Sequence, residues 1–106
     1  MKWEKVLEAV EHLSERIDIV TKSAVASLVS YGSANFVSPS EILEGVFPTV
    51  RIIWDDPPME VEVFNGSFET YDFRVTPAGI ESFDVVEIGQ LPYAFIQSLD
   101  PLRLDL

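Results

Sequence analysis

The sequence predicts an α+β fold in which helices precede an antiparallel sheet. Apolar residues recur at helical spacing near the N-terminus, whereas period-two alternation dominates the second half of the chain. Asn65-Gly66, between two alternating segments, is typical of a tight β-hairpin. Helices followed by strands that are close in sequence favour α+β over alternating α/β. A chain of 106 residues has the length of one domain, which we assign to 1–106.

The N-terminal segment is predicted to be a helix or a helical hairpin over about 2–31. Its apolar residues share one helical face: Trp3, Val6, Leu7, Val10, Leu13, Ile17, Val20, Ala24, Leu28 and Tyr31. A β-branched run predicts a break near Asp18-Ile19, and Gly32 is suited to end the helix.

A short helix is predicted over 39–44. Ser38 is a suitable N-cap, Pro39 suits the first helical position, and Glu41 completes a capping box. Gly45 would end this helix.

An antiparallel meander of three to four strands is predicted over about 49–88, followed by a short C-terminal helix or an edge strand. The strands are Val50–Trp54, Met59–Phe64, Phe68–Val75 and Ser82–Ile88. Residues 92–99 form the helix candidate, and the alternating residues 102–106 form the candidate for an edge strand.

The hairpin carries an electrostatic conflict. A two-residue turn at Asn65-Gly66 places Glu62 opposite Glu69, and facing like charges are unfavourable. One solution is a divalent cation held with the nearby acids Asp55, Asp56, Glu60 and Asp72. The other is a longer turn over 65–68 that places Phe64 opposite Glu69. We expect the longer turn because it needs no ligand.

The charge of the chain is strongly negative, with 18 acidic residues against 7 Lys and Arg and a net charge of −11. This argues against nucleic acids and anionic membranes as partners. Glu4, Glu8, Glu11 and Glu15 recur at helical spacing and form an acidic ridge. We identify these four as candidate partner-binding residues, for docking a basic protein or mimicking nucleic-acid phosphates. The alternative is a solvated helix face without a partner.

No motif in the sequence indicates catalysis, and no cofactor or metal is predicted. The absence of cysteine excludes thiolate zinc sites, iron–sulfur clusters and cysteine nucleophiles. His12 is the one histidine, on the polar side of its helix, and a Gly-x-Ser-x-Gly elbow is absent. The prediction therefore leans away from an enzyme.

We expect a non-enzymatic protein–protein interaction or regulatory module that acts as a homodimer. The small-residue stretch 21–31 and the apolar tail 91–106 are the candidate contact surfaces. One alternative is an acidic inhibitor that mimics nucleic acid toward a basic protein. Another is a small-ligand-binding or enzymatic domain, with a pocket between helices and sheet. The aromatic residues proposed for the mouth of that pocket are Tyr31, Trp54, Tyr71 and Tyr93.

The predicted location is the cytoplasm. The N-terminus lacks the pattern of a secretory signal, and no apolar run approaches the ~18 residues that span a bilayer.

Overall fold

A five-stranded antiparallel sheet follows two helices, in a computed structural model that describes residues 1–104. A 3-10 turn at Trp3–Lys5 leads into α1 (Val6–Glu11), and α2 follows (Ile19–Asn35). The strands are β1 (Glu41–Glu44), β2 (Val50–Asp55), β3 (Pro58–Phe64), β4 (Ser67–Asp72) and β5 (Gly79–Asp84). Helix α3 (Tyr93–Ser98) and a 3-10 turn at Asp100–Leu102 complete the order. The predicted α+β class is confirmed, with one strand more than the upper estimate of four.

The sheet is a simple meander in the order β1-β2-β3-β4-β5. Alternation of side chains gives it an inner face, which includes Ile52, Val61 and Phe68, and an outer face, which includes Arg51 and Glu62. The inner face packs against the helices in one apolar core, whereas no element of residues 1–104 covers the outer face.

Aromatic residues join the helices to the inner face. The Trp3 indole Nε1 donates a hydrogen bond to the Phe36 carbonyl oxygen at 3.0 Å, where the chain leaves α2. Phe95 of α3 stacks on Phe68 of β4, with ring centroids 4.2 Å apart. Since both rings are fully buried, α3 is fixed to the sheet by dispersion and by the hydrophobic effect.

The N-terminal segment is a helical hairpin, which is one of the two forms that the sequence predicts. Helix α1 ends at Glu11, and α2 begins after Asp18, whose Oδ1 accepts a hydrogen bond from the Thr21 N–H at 2.7 Å. Gly32 was wrongly predicted to end the second helix. It lies inside α2, where the Trp3 ring packs closely against it. A Cβ at this position would lie 2.7 Å from Trp3 Cη2 and Cζ2, so the packing requires glycine.

The predicted helix over 39–44 is wrong, because residues 41–44 form strand β1. The Ser40 N–H donates to the Ile53 carbonyl oxygen at 2.7 Å, and Ile42 pairs with Ile52 on the inner face. Pairing with β2 satisfies the hydrogen bonds of the backbone and buries Ile42. Together these effects outweigh the local preference for a helix that the capping residues indicate.

The ends of the last strands also differ from the prediction. Strand β4 ends at Asp72 rather than Val75, and β5 spans Gly79–Asp84 rather than 82–88. The predicted C-terminal helix is confirmed as α3. The predicted edge strand over 102–106 is reduced to a single bridge between Arg103 and Phe36, and residues 105–106 lie outside the described part.

Candidate functional site

An apolar groove runs between α2 and the segment 85–91, which links β5 to α3. We call it the α2 groove. Its deepest part is a cavity of about 300 Å³ that contacts Phe68 of the sheet, Ala24 of α2 and Leu91 of the linking segment. A shallower continuation follows α2 toward Tyr31. The structure thus forms a concave surface between helices and sheet, where one of the sequence-based alternatives placed a pocket.

The groove exists because α2 is rotated relative to its predicted apolar face. The helix buries Thr21, Val25 and Leu28, whereas Val20 and Ala24 line the groove. The rotation is anchored at the N-terminal end of the helix, where Thr21 Oγ1 accepts a hydrogen bond from the Asn65 N–H at 2.8 Å. Apolar positions that the sequence assigns to the core are therefore presented to the surface.

Two large aliphatic side chains that line the groove, and a third on the linking segment, are strongly exposed. Ile19 is 79% exposed, Val86 is 96% exposed and Ile88 is 93% exposed. Gly89 follows with φ at +86°, a left-handed conformation that glycine adopts without strain and that turns the chain toward α3. Clustered apolar side chains of this exposure are a mark of interaction sites.

The lining of the α2 groove carries no carboxylate, ammonium or guanidinium group in the part of the chain that the structure describes. Its polar members are small or neutral, including Ser23, Ser27, Asn65 and Gln90. This is notable in a chain with a net charge of −11. A lining of apolar and small neutral side chains suits the burial of an apolar surface.

The β3–β4 hairpin is a second candidate site, because it brings ionisable side chains together. The turn is the strict two-residue turn, since Phe64 pairs with Ser67 and Glu62 pairs with Glu69. The expected longer turn over 65–68 is therefore wrong. Asn65 adopts φ of 54°, the left-handed conformation that Asn tolerates in a tight hairpin turn.

A hydroxyl group bridges the two facing carboxylates. The Tyr71 Oη lies 3.2 Å from Glu62 Oε1 and 3.2 Å from Glu69 Oε2. The Thr49 hydroxyl donates to Glu62 Oε2 at 2.6 Å. Burial, followed by the negative charges of Glu69 and Glu62, raises the pKa of Tyr71 to about 12.

The other acids around the hairpin do not gather into a cation site. Glu60 is nearly buried and forms a bidentate pair with Arg51, at 2.8 and 3.1 Å. Asp72 pairs with Arg74 at 2.8 Å, and this guanidinium lowers the pKa of Asp72. Within residues 1–104, no group of three or more His, Asp or Glu is arranged to hold a metal ion.

The acidic ridge proposed from the sequence is only partly brought together. Glu4, Glu8 and Glu11 lie on the first helical segment, whereas Glu15 lies in the turn that follows. Glu8 is 3.5 Å from Lys5, and Glu11 is 3.4 Å from Lys22. All four acids are exposed, and their role in binding a partner remains a prediction.

The aromatic residues predicted at a pocket mouth are scattered. Tyr31 lines the shallow part of the α2 groove, but Trp54 is buried and Tyr71 lies on the outer face. The tail also differs from expectation, because its main apolar side chains belong to the core rather than to a contact surface: Phe95, Leu99 and Leu102.

Sequence reasoning missed Val86 and Ile88 because it placed both in a strand. The available signal was the absence of strict alternation over 85–88.

Comparison with known proteins gives no relative: no family model, no curated protein and no solved structure matches this chain. Across the described residues, none of the helices has the length and hydropathy needed to cross a bilayer.

Proposed function

We propose that this protein is a non-enzymatic protein–protein interaction module that acts as a homodimer, with the α2 groove as its docking surface. The observation that carries the proposal is the exposure of Ile19 and Ile88 in a groove whose lining lacks charge, with Val86 exposed on the adjoining segment. Apolar area of this kind favours association, because burial removes it from water.

The uncharged lining of the groove is compatible with a second copy as its occupant. Two copies that each carry −11 repel one another, so a stable contact requires a surface that buries no like charges. The lining of the α2 groove meets that requirement, whereas the exposed acid Glu87 lies between Val86 and Ile88 on the linking segment and has to stay at the edge of the contact. The exposed apolar side chains and the concave lining also lie side by side. A two-fold interface needs this arrangement, because each copy must supply both the inserted side chain and the site that receives it.

The dimensions are compatible with a stable dimer. Helix α2 has 17 residues, and a helix of that length extends roughly 25 Å. A stable interface buries roughly 800 Å² on each partner, about an eighth of the 6286 Å² that this chain exposes.

The cavity supports a second candidate, a small apolar ligand. Its volume of about 300 Å³ falls at the lower end of the range for ligand pockets. A ligand of that size would leave most of Val86 exposed, because Val86 does not line the cavity. A protein surface covers both cavity and rim, and this favours the dimer.

Two matched substitutions test the dimer by sedimentation equilibrium. Ile88→Gln and Val46→Gln each alter a turn residue that is more than nine-tenths exposed, and neither changes the net charge. Val46 lies in the β1–β2 turn, away from the groove. We expect Ile88→Gln to raise the dimer dissociation constant by about tenfold or more, and Val46→Gln to leave it unchanged. Equal effects, or a wild-type mass of 11.9 kDa at high concentration, would contradict the proposal.

A further inference from the structure

The outer face of the sheet combines exposed apolar side chains with a strong excess of acids. Phe64, Phe73 and Ile80 are each about half exposed, and no element of residues 1–104 packs over them. Beside them, the outward positions of the strands carry one basic residue, Arg51. The acids at outward positions are Glu41, Asp55, Glu60, Glu62, Glu69 and Asp84.

Arg51 offsets only a small part of this excess. It faces Glu62 across the strands, but both of its hydrogen bonds go to Glu60. Among residues 1–104, the side chains that donate hydrogen bonds to Glu62 and Glu69 are the hydroxyl groups of Tyr71 and Thr49. Facing like charges in a hairpin oppose folding. A sequence that breaks a local rule with only partial internal compensation often does so at a functional surface.

The Tyr71 ring adds a wall that suits a cation. It stacks on Phe73 with centroids 6.2 Å apart and planes 9° apart, directly beside the two carboxylates. A guanidinium or ammonium placed here would meet carboxylate oxygens at its edge and aromatic faces at its side, both favourable.

We infer that the outer face of the sheet docks a basic protein, through a segment that presents Arg or Lys side chains alternating with apolar ones. The cations pair with Glu62 and Glu69, and the apolar side chains cover Phe64, Phe73 and Ile80. A second copy is disfavoured on this face because two acidic surfaces would meet, and nucleic acid is disfavoured for the same reason. The inference concerns a different face from the α2 groove and stands independently of the homodimer.

The test is a titration of the ¹⁵N-labelled protein with an acetylated, amidated peptide of alternating Arg and Leu. The same peptide with Glu in place of Arg is the control ligand. Two double variants remove two charges each: Glu62→Gln with Glu69→Gln on the outer face, and Glu4→Gln with Glu8→Gln on the acidic ridge. Relief of repulsion protects the fold of the first variant, and sedimentation of both variants reports the dimer separately.

We expect chemical-shift changes at Glu62, Glu69, Tyr71 and their outer-face neighbours, with no binding of the Glu peptide. Affinity should fall about fivefold in the outer-face variant and less than half as much in the ridge variant. No binding by the wild type, equal losses in the two variants, or shifts centred on α1 or on the α2 groove would overturn the inference. Sedimentation measures the dimer independently of this titration. A negative result for the peptide therefore does not count against the homodimer proposed at the α2 groove.

Discussion

Glu62 and Glu69 are direct cross-strand neighbours, and the Tyr71 hydroxyl lies 3.2 Å from a carboxylate oxygen of each. A phenol has one proton, so it donates to one carboxylate at a time and leaves the repulsion only partly relieved. The Asn65-Gly66 turn and the burial of Val61 and Val63 on the inner face hold this register. A register slip would move those valines to the outer face, at a larger cost than the repulsion.

Tyr71→Phe is expected to lower the free energy of unfolding by about 1 kcal/mol, because it removes a hydrogen bond to a charged acceptor. Adding Glu69→Gln to this variant should restore part of the loss, since the like-charge contact disappears. Urea unfolding measures both effects. Tyr93→Phe is the control, because Tyr93 is 74% exposed. A Tyr71→Phe protein as stable as the control would contradict the bridging role.

Stability should depend on the proton of Tyr71 at alkaline pH. The pKa of Tyr71 is raised from 10.0 to about 12, so the folded state holds this proton more tightly than the unfolded chain. Its contribution is therefore fully present below pH 10.0 and is lost as the pH rises to about 12. The stability difference between wild type and Tyr71→Phe, measured by urea unfolding across this range, should shrink. A difference that is independent of pH would be inconsistent with the bridge.

Gly32→Ala should destabilise the protein despite the better helix propensity of Ala. The new Cβ would lie 2.7 Å from two atoms of the Trp3 ring, whose Nε1 is bound to Phe36. Overpacking costs about 1–3 kcal/mol, against a propensity gain of about 1 kcal/mol. Ser33→Ala, one residue further on the exposed side of α2, should be nearly neutral. Thermal unfolding compares the two, and a stabilised Gly32→Ala would contradict this packing.

The sequence predicts well the elements that depend on interactions between residues close together in the chain. The hairpin at Asn65-Gly66, the alternation in β3 and the Pro92-led helix α3 all appear where the sequence predicts them, although the turn has two residues rather than the expected longer form. Asp18 was recognised as a break, and its carboxylate caps α2. These features rest on contacts a few residues apart, which a single sequence expresses directly.

Long-range contacts decided the features that the sequence did not predict. Glu41–Glu44 carries helix-start signals, yet pairing with β2 makes it a strand. Gly32 resembles a helix terminus, yet its role is to admit a ring 29 positions earlier in the chain, Trp3. The α2 groove depends on helix rotation, which Thr21 fixes through Asn65, a residue 44 positions away. Apolar periodicity alone does not define a helix face to within one residue.

The two surfaces suit different partners because their charges differ. The α2 groove lacks charge and suits a copy of the same acidic chain, whereas the outer face of the sheet is acidic and suits a basic protein. A contact between copies at the α2 groove explains why α2 leaves Val20 exposed and Ala24 only partly buried.

The most direct measurement is an isotope-filtered nuclear Overhauser experiment on an equal mixture of labelled and unlabelled protein, which detects only contacts between copies. We expect cross-peaks between the Ile88 methyl groups of one copy and the Ala24 methyl group of the other. Absence of contacts between copies at millimolar concentration, or contacts confined to Phe64 and Phe73 on the outer face, would contradict it.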